Sequence, residues 1–91
     1  MNSRVPVIIE WDATPGQKIV EQAFTRIVSP YGCLLVLQHD ISVEQKVQVT
    51  NAATQQANTG IFVWKGNKGP DGWELGIELT QPPMDFWGIE L

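Results

Sequence analysis

Short apolar stretches, separated by glycine, proline and small polar residues, follow one another along the whole chain. Val5 to Trp11 is rich in β-branched residues and reads as a strand, with Pro6 marking an edge or opening position. Asp12 to Gly16 reads as a loop broken by the Pro15-Gly16 pair. Cys33 to Leu37 is continuously apolar, as a central buried strand would be. Gln38 to Gln45 is a connection carrying His39 and Asp40. Lys46 to Thr50 alternates cleanly, which predicts a strand with Val47 and Val49 turned inward. Asn51 to Asn58 is small and polar, a loop or a weak turn of helix. Ile61 to Lys65 and Trp73 to Leu79 read as the two strands of a hairpin. Their connection, Gly66 to Gly72, holds three glycines and one proline. Pro82-Pro83 ends the last strand, and Met84 to Leu91 is expected to form a short helical turn anchored by Phe86, Trp87 and Ile89.

Gln17 to Ser29 is ambiguous. Ile19, Val20, Ala23, Phe24, Ile27 and Val28 recur at helical spacing, whereas a strand would put Glu21 and Thr25 on one face with Ile19, Ala23 and Ile27. Periodicity therefore predicts a helix here. Ser29-Pro30-Tyr31-Gly32 stops it, because Pro30 can continue neither helix nor ladder and Gly32 can take a positive φ. Short strands with turn signals every eight to twelve residues or so predict a small antiparallel barrel or sandwich.

With 91 residues the chain is expected to be one domain, 1–91. A hydrophobic content of 43% fits a globular protein rather than a disordered one. Its net charge of −4 argues against broad binding to nucleic acid or to anionic membranes, which needs a basic face. One cysteine excludes an internal disulfide, and one cysteine with one histidine cannot alone build a zinc site. No apolar run approaches the roughly 20 residues of a membrane span. Met1 to Arg4 does not open a signal peptide, so a cytoplasmic location is expected, and the lone thiol agrees with it.

Little in the sequence points to catalysis. His39 reads as a surface histidine in a polar turn, and Cys33 as a buried structural thiol with no basic neighbour to activate it. Glu74 and Glu78 share a strand face about 13 Å apart, too far for a glycosidase pair at roughly 5–9.5 Å. The glycine-rich stretch 66–72 lacks the Gly-Lys-Ser/Thr ending of a phosphate loop. Four tryptophans, Trp11, Trp64, Trp73 and Trp87, are many for so small a domain; core or half-core packing explains most of them, and one or two are candidates for a stacking platform. Arg4 and Arg26 are the only arginines, hence surface residues or the few clamps open to a phosphate.

Several short pieces, in order, resemble one family. Arg4-Val5-Pro6-Val7 resembles a first strand preceded by arginine. Thr25 to Leu35 resembles two strands joined at the turn Ser29-x-x-Gly32, followed by Cys-Leu-Leu-Val-Leu. Glu44-Gln45 and Lys46 to Asn51 resemble the next turn and strand, Trp73 to Leu79 the closing strand, and Asp85-Phe86-Trp87-Gly88 the tail of one branch. Together they resemble a PilZ domain. The resemblance implies an all-β, six-stranded antiparallel Greek-key β-barrel with a short C-terminal helical tail, in which Lys18 to Val28 is a strand. It also implies a bacterial signalling role. Members commonly bind cyclic di-GMP through an Arg-x-x-x-Arg segment and an Asp/Asn-x-Ser-x-x-Gly turn, arginine forks holding the phosphates and stacking on guanine.

On this pattern Arg4 fits the second arginine, and the first would fall one position before Met1. Ser29 and Gly32 fit the turn, but Ile27 stands where Asp or Asn belongs. Loss of a bidentate arginine and of a polar base contact each costs on the order of 1–3 kcal/mol. The leading expectation is thus a non-enzymatic PilZ-like module with a degenerate nucleotide site (weak candidates Arg4, Arg26, Ser29 and Gly32). It would require no cofactor and act through a protein partner, without nucleic-acid binding or membrane insertion. The alternatives are a cyclic di-GMP receptor using Arg4, Arg26 and a tryptophan in an altered mode, and, from another class, a small enzyme or carbohydrate-binding barrel. An exposed tryptophan beside a carboxylate would favour the carbohydrate barrel.

Overall fold

The computed structural model describes residues 2–89. Six strands follow in chain order: β1 (Pro6–Thr14), β2 (Gln17–Ser29), β3 (Gly32–Leu37), β4 (Lys46–Asn51), β5 (Ala57–Gly69) and β6 (Gly72–Leu79). They close into a barrel in the order β1-β2-β3-β6-β5-β4, with β4 paired back onto β1 and every neighbouring pair antiparallel. Closure gives every strand a partner on both sides over part of its length, while 17–24 of β2 pair only with β1 and 63–69 of β5 only with β6. Strands β3 and β4 are consecutive in sequence but are not neighbours in the barrel. Residues 38–45 therefore cross one mouth, and Ile41 is buried beneath that crossing.

Alternation fills the interior. Val7, Ile9 and Trp11 point inward from β1, Leu35 and Leu37 from β3, Val47 and Val49 from β4, Phe62 from β5, and Leu75, Ile77 and Leu79 from β6. Two polar side chains join them and are satisfied. The Thr25 hydroxyl donates to the Ser3 carbonyl (2.6 Å) and accepts the Val5 N–H (2.9 Å). Asn51 donates from Nδ2 to the Phe86 carbonyl (2.9 Å) and accepts the Ala53 N–H (3.0 Å). A buried polar group with every partner in place fixes geometry without the desolvation cost of an orphan.

Gln17–Ser29 is a strand, not the helix that its periodicity predicts. Its inward face is Ile19, Glu21, Ala23 and Thr25, spaced by two, while Val20 and Phe24 face outward. A half-buried glutamate inside and large apolar side chains outside give the stretch the spacing of a helix. A β-bulge adds to it: Thr25 pairs with Leu35 and Ile27 with Leu34, so Arg26 is an extra residue opposite one bond of the ladder, and the next inward side chain is Val28.

The β5–β6 hairpin is longer than its sequence suggests. Its strands continue to Gly69 and Gly72, leaving only Pro70 and Asp71 as the turn instead of a seven-residue loop. Bulges between Phe62 and Trp64 and between Lys65 and Lys68 absorb the glycine-rich stretch into the strand.

The C-terminal tail also differs. The described part of Met84–Leu91 makes no helix but two successive turns, with the Phe86 N–H donating to the Pro83 carbonyl (3.1 Å) and the Gly88 N–H to the Asp85 carbonyl (2.9 Å). Glu90 and Leu91 lie outside the described residues. The tail's adjacent rings, Phe86 and Trp87, are both buried and stack edge to face at 5.0 Å. Turns allow two consecutive side chains to enter the same mouth, whereas a helix separates them by about 100°. The Trp87 Nε1–H donates to the Ser29 carbonyl (2.8 Å), so the tail closes the mouth opposite residues 38–45.

Cys33 faces the interior of β3, and burial pushes its thiol up from 9.0 to about 12. The unfolded chain ionises this thiol first. Stability is therefore intact below about pH 9 and falls as the pH rises toward 12. At about pH 10.5 the cost is on the order of 2 kcal/mol. Denaturant midpoints at neutral pH and at about pH 10.5 should separate wild type from Cys33→Ala, the variant losing less. Equal alkaline losses would show that the thiol titrates as it does in the unfolded chain.

Candidate functional site

The outer wall formed by β2, β3, β6 and β5 carries the features that a core does not require. Register aligns Ile27, Leu34, Gly76 and Trp64 in one row across four strands. Ile27 and Trp64 are exposed on either flank, Val63 faces outward beside Trp64 at the β5 bulge, and Tyr31 stands out from the β2–β3 turn with 72% of its surface exposed. A row of exposed large apolar side chains on a barrel wall is the informative kind of exception.

The four residues singled out in the sequence fall into two places. Arg4 and Arg26 border one depression, of about 660 Å³, together with Glu21, Phe24, Gln38 and Asp71. The strand-like run that precedes β1 brings them together: the Ser3 N–H donates to the Arg26 carbonyl (3.1 Å), and Asn2 bridges to Ile27. Both guanidinium groups are occupied. Arg4 lies over the Phe24 ring at 4.2 Å from its centroid, and Arg26 Nη1 is 3.8 Å from Glu74 Oε2.

Ser29 and Gly32 open onto a different groove, of about 370 Å³, whose walls include Ile27, Tyr31, Leu34 and Val63. No lysine, arginine or histidine lines it among the described residues. Ser29 Oγ accepts the Tyr31 N–H at 3.4 Å within the turn. A β-carbon on Gly32 would collide with the carbonyl oxygen of Ile77, so the glycine is needed for β3 to approach β6 at all.

His39 is partly exposed, as expected of a surface residue, but it is not idle. Its Nδ1 pairs with Glu21 Oε1 at 2.6 Å, while Glu21 Oε2 accepts the Gln38 N–H at 2.7 Å. The imidazole also meets Trp11 edge to face at 5.2 Å. With an ion pair between Lys65 and Asp40, these bonds fasten the crossing segment over its mouth. Nothing in the sequence signals this arrangement, because Glu21 and His39 belong to elements whose adjacency follows only from barrel closure.

The tryptophans separate by position. Trp11 and Trp87 are buried, and Trp73 is half-buried under Lys65, whose Nζ is 4.4 Å from the ring centroid. Trp64 keeps 47% of its surface exposed and is the one tryptophan on the outer wall among the described residues. Glu74, which pairs with Arg26, lies beside it at Gly66. Trp64 is the residue that sequence reasoning could not rank. Its signal was the glycines Gly66 and Gly76, which lie beside the indole only once the strand register is known.

Among the described residues no group of three or more His, Cys, Asp or Glu is placed to hold a metal ion, and no helix is long and apolar enough to cross a membrane. What the wall can do chemically is bind: an apolar groove at the β2–β3 turn and a polar, aromatic depression near the β5–β6 turn. No family model, curated protein or solved structure matches this chain.

Proposed function

We propose that the chain is a non-enzymatic binding module, a PilZ-like Greek-key barrel of bacterial signalling or motility that works through a protein partner and not through cyclic di-GMP. One observation carries this reading. The Ser29–Gly32 turn opens onto an apolar groove, and neither arginine lines it: Arg4 and Arg26 border another depression, with Arg26 paired to Glu74. A cyclic dinucleotide brings two phosphates and needs cationic forks beside the turn. A groove walled by Ile27, Leu34, Val63 and Tyr31 instead suits an apolar side chain presented by a protein, with aromatic and aliphatic anchors excluding water around it.

Amide NMR of the labelled chain tests the nucleotide half of the reading. Cyclic di-GMP at millimolar concentration and modest ionic strength should move no resonance saturably. Saturable shifts at Arg4 and at 29–32 would establish a receptor with an altered binding mode and overturn the proposal. The partner half is tested by a photo-crosslinking residue at Tyr31, compared in cells with one at Gln48 on the opposite wall. Tyr31 should capture a discrete partner that Gln48 does not, and equal or absent capture would count against a protein-docking groove.

A further inference from the structure

The second depression on the same wall is independent of the PilZ reading. It encloses about 520 Å³ between Trp64, Val36, Arg26, Glu74, Asn67 and Asp71, within the usual range of small-molecule sites, roughly 300–1,000 Å³. We propose that it binds a pyranose ring of an uncharged oligosaccharide, stacked on Trp64.

Three features point to that ligand. The first is a seated aromatic platform. The bulge between Phe62 and Trp64 turns Trp64 outward, and the indole then lies along the wall where two side chains are missing. A β-carbon on Gly66 would stand 2.6 Å from Trp64 Cη2, and one on Gly76 would stand 3.3 Å from Trp64 Cβ. The two glycines leave the space in which the ring lies against the backbone, with its other face open to a ligand. An aromatic face carries a negative quadrupole, which attracts the weakly positive C–H groups on one face of a pyranose.

The second feature is the ring of polar groups beside the platform. Glu74 faces Val36 across the β3–β6 ladder and lies at the indole's edge, its Oε1 being 3.3 Å from the same Gly66 β-carbon position. Arg26 is 3.8 Å from the other Glu74 oxygen, and Asn67 and Asp71 complete the rim. Carboxylates accept hydrogen bonds from hydroxyls, and the guanidinium and amide donate to hydroxyl and ring oxygens. A sugar needs this mixture, because each hydroxyl both donates and accepts.

The third feature is charge. Two carboxylates, Glu74 and Asp71, oppose one guanidinium, Arg26. The site carries a net negative charge on a chain of net charge −4. A phosphate, a nucleotide or an acidic polysaccharide would be repelled, whereas a neutral polyol would not. Trp64 also shields the glycine backbone of β6, a purely structural use of an aromatic residue opposite glycine. That use accounts for the ring but not for the polar rim or its charge.

The test is a titration of the full chain, followed by amide and indole NMR and by tryptophan emission. Hexasaccharides of β-1,4-glucose, α-1,4-glucose, β-1,4-mannose and β-1,4-N-acetylglucosamine serve as probes, with hexagalacturonate as the acidic control. At least one neutral probe should saturate shifts at the Trp64 indole, Asn67, Asp71 and Glu74, while the acidic one should not. Trp64→Ala and Glu74→Gln should each weaken that probe roughly tenfold or more. The amide dispersion of each variant confirms that it is folded, and Glu74→Gln keeps the platform intact should Trp64→Ala fail. Absence of shifts with every neutral probe at about 10 mM, a stronger response to the acidic one, or an affinity unchanged in both variants would each overturn the proposal.

Discussion

Gly32→Ala is expected to lower stability by about 3 kcal/mol or more, a fall in melting temperature of roughly 12–24 °C for a domain of this size. Glycine in a strand interior is usually a liability, and replacing it with alanine gains roughly 0.5–1 kcal/mol. At Gly32 the sign reverses. The added β-carbon meets the carbonyl oxygen of Ile77, which is backbone of the neighbouring strand and cannot rotate away. Relief requires β3 to part from β6 at the Gly32–Glu78 pair, next to the bond from the Leu79 N–H to the Tyr31 carbonyl (2.7 Å). Gly69→Ala is the control. Its β-carbon finds nothing closer than the Gly72 carbonyl oxygen at 3.9 Å, so thermal melting of that variant should match or exceed wild type. If Gly32→Ala melts with the control, the tight approach of β3 to β6 is wrong, and the glycine is left to a ligand.

That prediction bears on how the family pattern is read. A serine–glycine turn was legible in the sequence, and its resemblance to a nucleotide-binding turn rested on Ser29 and Gly32. Steric need in the barrel explains Gly32 without any nucleotide. The strands around it were legible for simple reasons: Lys46 to Thr50 alternates, and Cys33 to Leu37 is continuously apolar. Closure into six antiparallel strands also came from the resemblance, and the structure has that barrel.

Periodicity misreads Gln17–Ser29 because Val20 and Phe24 face outward and Glu21 inward, against the usual alternation, and because the bulge at Arg26 leaves no mark on composition. The β5–β6 connection misled in the same way. Gly66, one of the glycines that announce a loop, is here part of the floor under Trp64 and part of a second bulge. Of the candidate site, the residue types could be named but not assembled. Arg4 and Arg26 border one hollow and Ser29 and Gly32 another, since register decides which outward side chains share one. Trp64 emerged from four equivalent tryptophans only through burial of the others.

The tail yields the other large effect. Phe86→Ala should cost about 3–5 kcal/mol, the usual penalty for removing a fully buried aromatic ring, and lower the melting temperature by roughly 15 °C or more. A barrel of this size has two mouths and a thin core. One mouth is closed by Ile41 under the crossing segment, and the other by Phe86 and Trp87. Phe86 is also held by its backbone, whose carbonyl accepts from the Asn51 side chain inside the barrel. Losing the ring admits water beside Asn51 and Trp87, so the bond from Trp87 Nε1–H to the Ser29 carbonyl is exposed to competition. Two signals should therefore move together in the folded variant: the melting temperature falls, and tryptophan emission shifts to the red as Trp87 becomes wet. The same loosening reaches the proposed docking groove, because Ser29 links the tail to the turn that opens onto it. Amide shifts in Phe86→Ala should extend from the tail through Ser29 to Tyr31. An unchanged melting temperature with unchanged emission would mean that the tail lies outside the mouth in solution, leaving that end of the core open.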